Sequence, residues 1–148
     1  MKNTLLLLMI LLLFSCGYKP VFSGQDINFY IDKILNIEDD NTTRKIIKKL
    51  SPYSIKNDKQ SVNLEIKSNK DERVISKDSK GDPLVFEIKI EVDIKIKSSD
   101  NENAFNYVET FSFNNQTNKF ELKQYKNNIE DNLIDKIFER IIIDIRSI

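Results

Sequence analysis

The chain has 148 residues, a length typical of one domain, and its 23 acidic residues balance its 23 basic residues, so its formal net charge is zero. The absence of histidine and the presence of one cysteine exclude Ser-His-Asp triads, histidine-containing zinc sites, internal disulfides and Cys-x-x-Cys sites. Zero net charge argues against a uniformly basic surface, and we expect no nucleic-acid partner.

Residues 1–15 have the features of a secretory signal peptide. Lys2 supplies a positive charge, and an uncharged apolar run follows from Leu5 to Phe14. This run is too short to cross the roughly 30 Å hydrocarbon core of a bilayer as a helix, and its length fits the apolar region of a signal peptide. The alternative, a buried core helix, would have no polar face and would be followed at once by a glycine and a proline.

The only cysteine of the chain, Cys16, directly follows this segment. Leu13, Ser15 and Cys16 resemble the lipobox of bacterial lipoproteins, in which the peptide is cut before the cysteine. The resemblance implies cleavage between Ser15 and Cys16, a diacylglycerol on the cysteine sulfur and an acyl chain on the new amino group. We expect no other cofactor. The alternative is an unmodified, buried cysteine.

Acylation at Cys16 would anchor the mature protein to a membrane, because each buried methylene contributes about 0.8 kcal/mol and two or three chains act together. The next residue, Gly17, is not aspartate. In lipoprotein sorting in bacteria with two membranes, this points to the outer membrane, with the protein on its periplasmic side. Residues 16–26 then form an acylated tether.

Residues 27–148 predict a single domain that begins with a strand and a helix. The strand is expected in the first half of residues 27–37. The acids and amides of residues 39–42 are typical of a helix start, and Ser51-Pro52 is expected to end that helix. Its apolar stripe consists of Ile46, Ile47 and Leu50.

Three strands follow in the periodic pattern. Residues 61–68 alternate and can continue through residues 73–75, before a turn at residues 76–83. The longest alternation predicts a strand with one apolar and one charged face. Its apolar members are Leu84, Phe86, Ile88, Ile90, Val92, Ile94 and Ile96. Aromatic residues of one parity predict another strand over Phe105–Phe113, between a polar turn at 98–104 and a loop at 114–119.

A long amphipathic helix is predicted from about Glu121 to near the C-terminus. Its stripe consists of Ile129, Leu133, Ile137, Ile141 and Ile145, widened by Ile134, Phe138 and Ile142. A sheet face would cover such a broad stripe, whereas the mixed charges on the polar side disfavour a membrane-surface helix. The predicted fold class is an α/β (α+β) two-layer sandwich: a mostly antiparallel sheet of about four strands with two helices on one face.

Together these features resemble the LptE family of lipopolysaccharide-assembly lipoproteins. The resemblance covers nearly the whole mature chain. It is carried by the lipobox, by "CGYKPVF" at residues 16–22, and by residues 111–145, where an aromatic strand leads through an Asn/Gln turn into an Ile-rich helix. It implies a protein without enzymatic activity. It also implies that the protein plugs the lumen of the outer-membrane β-barrel LptD, supports its assembly and helps lipopolysaccharide reach the outer leaflet.

If the resemblance holds, five basic residues near the predicted turns are candidate contacts for lipopolysaccharide. They are Arg73, Lys77, Lys80, Lys119 and Lys123. Their charges could bind the phosphates of lipid A through charge-assisted hydrogen bonds; the alternative is ordinary solvated side chains. Charges on the longest strand, such as Glu87 and Lys89, are candidates for pairing with side chains of the barrel lumen.

Two other functions stay open from the residues alone. One is a different periplasm-facing lipoprotein, a lipid-binding or barrel-assembly accessory domain, because fold class does not separate such functions. The other is a hydrolase that uses carboxylates near the predicted turn. These carboxylates are Asp71, Glu72, Asp78 and Asp82, and the lysines and serines between them are more typical of a turn than of an acid pair.

Overall fold

The computed structural model describes residues 28–38 and 40–148 of the chain. The predicted signal peptide, the cleavage site at Ser15 and Cys16, and the acylated tether up to residue 26 lie outside the described residues.

A four-stranded mixed sheet and two helices make up the described fold. The elements are β1 (Phe29–Asn36), α1 (Asn41–Leu50), β2 (Gln60–Lys77), β3 (Pro83–Lys97), β4 (Glu102–Asn114) and α2 (Lys119–Ser147), with a 3-10 turn at Ser51–Ser54. The strand order is β1-β2-β3-β4, in which β1 runs parallel to β2 and the other neighbours are antiparallel. The predicted fold class is confirmed.

The helix α1 begins where the capping residues predicted it. Oδ1 of Asp40 accepts hydrogen bonds from the backbone N–H groups of Thr42 at 2.7 Å and Thr43 at 2.9 Å, which satisfies two donors of the first turn. Ile46 and Leu50 of the predicted stripe are fully buried. The 3-10 turn that starts at Ser51 ends the α-helix, as predicted.

The hairpin of β2 and β3 is the longest pairing in the sheet. β2 is one continuous strand of 18 residues with register shifts near Ser76, so the predicted bent continuation is correct. The turn is shorter than predicted and occupies residues 78–82. Gly81 in this turn has a φ of +91°, a conformation that residues with a Cβ adopt rarely.

Both helices pack on the same face of the sheet. Thr43 of α1 contacts Ser68, and Glu130 of α2 contacts Lys70, and these two residues of β2 point to the same side. On β3 the alternation is confirmed from Ile88 to Ile96, where the apolar members are fully buried. Leu84, near the start of β3, is an exception and is 47% exposed.

The molecule has two ends, which we call the base and the tip. The base contains the start of β1 and the turn between β3 and β4, because Phe29 lies beside Gln60 and Lys97 lies beside Glu102. The tip contains the turn at residues 78–82, the loop at residues 115–118 and the first turns of α2. β3 has 15 residues and runs the full distance, so base and tip lie about 50 Å apart.

Candidate lipid- and partner-binding surface at the tip

The two loops that carry the predicted basic residues meet at the tip. The backbone N–H of Asn115 donates to the carbonyl oxygen of Leu84 at 2.7 Å. The Asn115 side-chain amide donates to the carbonyl oxygen of Pro83 at 2.8 Å. A groove of about 650 Å³ lies between the loops, with Asp78 on one side and Gln116 and Thr117 on the other. The tip is therefore one continuous surface.

Four of the five predicted lysine and arginine contacts are available for an anionic ligand. Lys77 ends β2, Lys80 lies in the turn, and Lys119 and Lys123 lie one helical turn apart on α2. All four are exposed, and none has an ion-pair partner among the residues that the structure describes.

Arg73 differs from these four lysines because it is already paired. Its Nη2 atom lies 2.7 Å from Oε1 of Glu87, the residue directly opposite on β3, and its Nε atom donates to the same oxygen at 2.9 Å. An anionic ligand would have to compete with this carboxylate, so Arg73 is the weakest of the five candidates.

Apolar side chains are exposed among these cations. Phe120, in the first turn of α2, is 68% exposed, and Ile75 and Leu84 each expose more than two fifths of their surface. The sequence could have indicated the exposure of Phe120, since this residue lies outside the apolar stripe of the helix. Leu84 carried no such signal, because it continues the alternation of β3, whose later apolar residues are buried. Lysines beside apolar groups give the tip the character of a surface for an anionic amphiphile.

An aromatic cluster next to the tip packs α2 against β3 and β4. Phe86 stacks on Phe113 with ring centroids 5.7 Å apart, and Tyr125 of α2 meets Phe113 edge-on at 5.7 Å. Nζ of Lys126 lies 4.5 Å from the centre of the Phe86 ring and also pairs with Glu72. These contacts fix the start of α2 to the ends of β3 and β4.

Two of the four carboxylates near the turn, those of Asp78 and Glu72, make structural contacts. Oδ1 of Asp78 accepts hydrogen bonds from the backbone N–H groups of Lys80 at 2.8 Å and Asp82 at 2.9 Å, which holds the turn closed. The carboxylate of Glu72 forms an ion pair with Lys126. Within residues 28–38 and 40–148, no three carboxylates come close enough together to hold a metal ion.

On the outer face of the sheet, charged side chains pair mainly with one another. Nζ of Lys97 lies 2.6 Å from Oε1 of Glu65, and Nζ of Lys89 lies 2.8 Å from Oε2 of Glu91. The hydrogen bond from Lys97 lowers the pKa of Glu65, and that from Lys89 lowers the pKa of Glu91. A partner that binds this face through its charges would have to break these ion pairs and replace them with ion pairs of its own.

One buried carboxylate, Glu130, joins the two helices to the sheet. It is 3% exposed, its Oε1 atom lies 2.7 Å from Nζ of Lys45 on α1, and its Oε2 atom contacts Nζ of Lys70 on β2. Burial opposes ionisation, but the hydrogen bonds from Lys45 and Lys70 outweigh it, so the pKa of Glu130 lies below its usual range. Glu130 therefore belongs to the scaffold and lies away from the tip.

The described helices are not suited to crossing a bilayer: none of them combines the necessary length with the necessary apolar character. The apolar stripe of α2 faces the sheet, where Ile134, Ile137 and Ile141 are fully buried.

The two-layer fold of this chain is also found in solved structures of bacterial lipoproteins. The chain matches no protein-family model and no curated protein. The rare lipoprotein B from Shewanella oneidensis matches with a TM-score of 0.58 and 12% identity, over 80% of this chain and 94% of that one. The minor lipoprotein from Acinetobacter baumannii matches with a TM-score of 0.52 and 14% identity, over 81% and 93% of the two chains.

A third similar structure, lipoprotein B from Nitrosomonas europaea, has a TM-score of 0.51 and 12% identity and covers 85% of this chain and 88% of that one. At such identities the shared feature is the fold. The three similar structures are bacterial lipoproteins, and each is covered over most of its length.

Proposed function

We propose that this protein is an LptE-like lipoprotein of the bacterial outer membrane, without enzymatic activity. In this proposal Cys16 carries the acyl anchor, and the domain lies on the periplasmic side of the membrane. The domain fills the lumen of the β-barrel LptD, supports the assembly of that barrel and assists the passage of lipopolysaccharide to the outer leaflet.

The observation that carries the proposal is the combination of a lipobox-like cysteine with a domain fold shared with several bacterial lipoproteins. The position of the tip adds support. β1 starts at the base, so the tether from Cys16 reaches the domain about 50 Å from the tip. A ligand bound at the tip would thus be held well away from the anchored end.

Affinity capture of the tagged, acylated protein from native outer membranes tests the partner. We expect one large β-barrel to copurify in near-equal amount and to survive mild detergent. Recovery of the protein alone, or with soluble periplasmic proteins, would instead favour the alternative of a lipid-binding or barrel-assembly accessory lipoprotein.

Charge reversal tests the proposed lipopolysaccharide contacts. We expect a variant with Lys77, Lys80, Lys119 and Lys123 changed to glutamate to lose at least about tenfold in affinity for lipopolysaccharide, since each charge-assisted hydrogen bond to a phosphate contributes roughly 1.5–3 kcal/mol. The matched control reverses four exposed lysines away from the tip, namely Lys33, Lys48, Lys56 and Lys59. Equal losses in both variants would mean that net charge, and not the tip, determines the affinity.

A further inference from the structure

Next to the tip, an apolar groove runs between α2 and the edge strand β4. It has a volume of about 420 Å³. The buried side chains of Ile129 and Leu133 line its inner side, and the partly exposed rings of Phe111 on β4 and Tyr125 on α2 line it as well. A concave, mainly apolar surface with a few polar groups is the usual form of a ligand site.

The rim of the groove toward water is polar and carries little charge. Asn128, Asn132 and Lys136 follow one another at intervals of four residues on one side of α2, and all three are exposed. Among the residues that the structure describes, no carboxylate lines the groove. A lysine stem can cover apolar surface while its ammonium group stays in water. Such a lining suits a hydrocarbon chain, which gains by leaving water and needs no directional partner.

The two ends of the groove differ in chemistry. At the end toward the tip, the ring of Tyr125 meets Phe113 edge-on with the ring centroids 5.7 Å apart. At the end toward the base, one helical turn beyond the last lining residue of α2, Nη1 of Arg140 lies 3.1 Å from Oε1 of Glu109 and joins the helix to β4. A hydrocarbon chain can lie over an aromatic ring, whereas covering an ion pair would remove charges from water. The groove is therefore accessible to such a chain from the tip.

The length of the groove matches that of one acyl chain. Its lining residues on α2 run from Tyr125 to Lys136, a distance of about 17 Å along the helix axis. The hydrocarbon core of a bilayer is roughly 30 Å thick, so the chains of one leaflet extend over about 15 Å. The groove can therefore cover one side of an extended chain of the length that membrane lipids carry.

We propose that this groove holds one acyl chain of a lipopolysaccharide molecule whose phosphates lie on the lysines of the tip. The lipid then contacts two adjoining surfaces of the domain, a basic one for its head and an apolar one for this chain. The inference rests on the function proposed above, because it takes lipopolysaccharide as the ligand. It adds the place where an apolar part of that ligand binds.

Photocrosslinking of the full chain in its native outer membrane tests the position of the acyl chain. The photoreactive residue p-benzoylphenylalanine replaces Asn128 or Asn132 at the rim, or Ile143 as the matched control. Ile143 is 58% exposed and lies further along the same flank of α2, beyond the ion pair of Arg140. We expect lipopolysaccharide to be crosslinked at both rim positions and not above background at Ile143. A phospholipid or a protein crosslinked there in place of lipopolysaccharide would overturn the proposal.

Affinity measurements on the purified full chain separate the acyl chain of the ligand from its head. Phe111→Asn makes one wall of the groove polar, whereas Phe111→Leu keeps it apolar. We expect Phe111→Asn to lower the affinity for lipopolysaccharide about tenfold and Phe111→Leu to leave it nearly unchanged, because a few lost methylene contacts account for such a factor. Neither variant should alter the affinity for deacylated lipopolysaccharide, which keeps its phosphates but has no chain for the groove.

A second variant covers the case in which Phe111→Asn melts at a lower temperature than the parent. Asn132→Trp fills the groove from its exposed rim and should lower the affinity for complete lipopolysaccharide alone. Reversal of the tip lysines should instead lower the affinity for both forms of the ligand, because both carry the phosphates.

The outcomes separate this inference from the function on which it rests. If Phe111→Asn and Asn132→Trp leave the binding of complete lipopolysaccharide unchanged, or weaken the binding of both forms equally, the groove holds no acyl chain and the inference is wrong. The tip contacts and the barrel partner would then still stand. If the parent chain binds neither form, the proposed contact with lipopolysaccharide fails, and the inference fails with it.

Discussion

On the face that α1 and α2 cover, the sheet is apolar except for a few buried polar groups, whereas charged side chains occupy most positions on the other face. Under this face the buried carboxylate of Glu130, on α2, is tied to Lys45 of α1 and Lys70 of β2. The charges on the outer face pair with neighbours on the same face, as Glu65 does with Lys97, and water competes for them. A similar ion pair should therefore matter for stability on one face and hardly at all on the other.

The largest difference between buried and exposed positions is expected for isoleucines of α2. Ile134→Ala should lower the free energy of unfolding by about 3 kcal/mol, because it removes fully buried methylene and methyl groups and leaves a cavity. Ile143→Ala, on the same helix but 58% exposed, should change it by less than about 0.5 kcal/mol. Urea unfolding at low protein concentration measures both. Similar losses in the two variants would contradict the described packing of α2.

The buried ion cluster should show the next largest effect, together with a dependence on pH. Glu130→Gln should lower the free energy of unfolding by about 2 kcal/mol at neutral pH, since two lysines lose their buried charged partner. The exposed Glu139→Gln should have little effect.

The sign of the pH dependence follows from the lowered pKa of Glu130. The ionised carboxylate stabilises the folded state above its unfolded-state pKa, and this contribution disappears as the pH falls through the folded-state value. The difference between Glu130→Gln and the parent should therefore shrink as the pH falls below 4.5, the ordinary value for glutamate. A difference that stays constant down to acid unfolding would show that the charge of Glu130 does not contribute.

A smaller contrast is expected between the two helix caps. Asp40 caps α1 and also accepts hydrogen bonds from the hydroxyl groups of Thr43 and Ser68. Asn118 caps α2 through exposed bonds to Phe120 and Glu121. Asp40→Ala should cost about 1–2 kcal/mol and Asn118→Ala about 0.5–1 kcal/mol, measured by thermal unfolding. An equal cost would mean that the Ser68 contact adds nothing to the cap.

The smallest effect is expected on the outer face of the sheet. Glu65→Gln breaks the pair with Lys97, but both side chains are in contact with water, so the urea midpoint should stay within experimental error at physiological salt. A clear loss of stability in this variant would show that the outer face is less accessible to water than its exposure indicates.

The sequence predicted the elements with regular apolar spacing and was less accurate where polar residues interrupt it. β2 is the clearest case. In the sequence, the alternation of apolar and polar residues ends at Ser68, although the strand continues to Lys77. Lys70 and Glu72 stand at inward positions there, and each is accommodated by a charged partner on α2, namely Glu130 and Lys126. Such partners are distant in sequence, so local periodicity could not reveal them.

The candidate site was predictable to a similar extent. The basic residues were found from their position near two turns, and the structure brings those turns together. The pairing of Arg73 with Glu87 depends on the register of β2 and β3, which a sequence pattern does not determine. The exposure of Leu84 near the start of β3, and of Phe111 on the edge strand β4, is also a property of the tertiary structure.

The parallel pairing of β1 with β2 has a consequence for the order of folding. Residues 37–59, which include α1, separate the two strands, whereas only the five residues 78–82 separate β2 from β3. Closure of the short turn is fast, and the crossover is slow because a longer loop must be ordered first. A chain that leaves a translocation channel with its N-terminus first would release β1 before its partner strand exists. We therefore expect Phe29 and Ile31 to stay uncovered until the β2–β3 hairpin has formed, and β1 to be added to the sheet last.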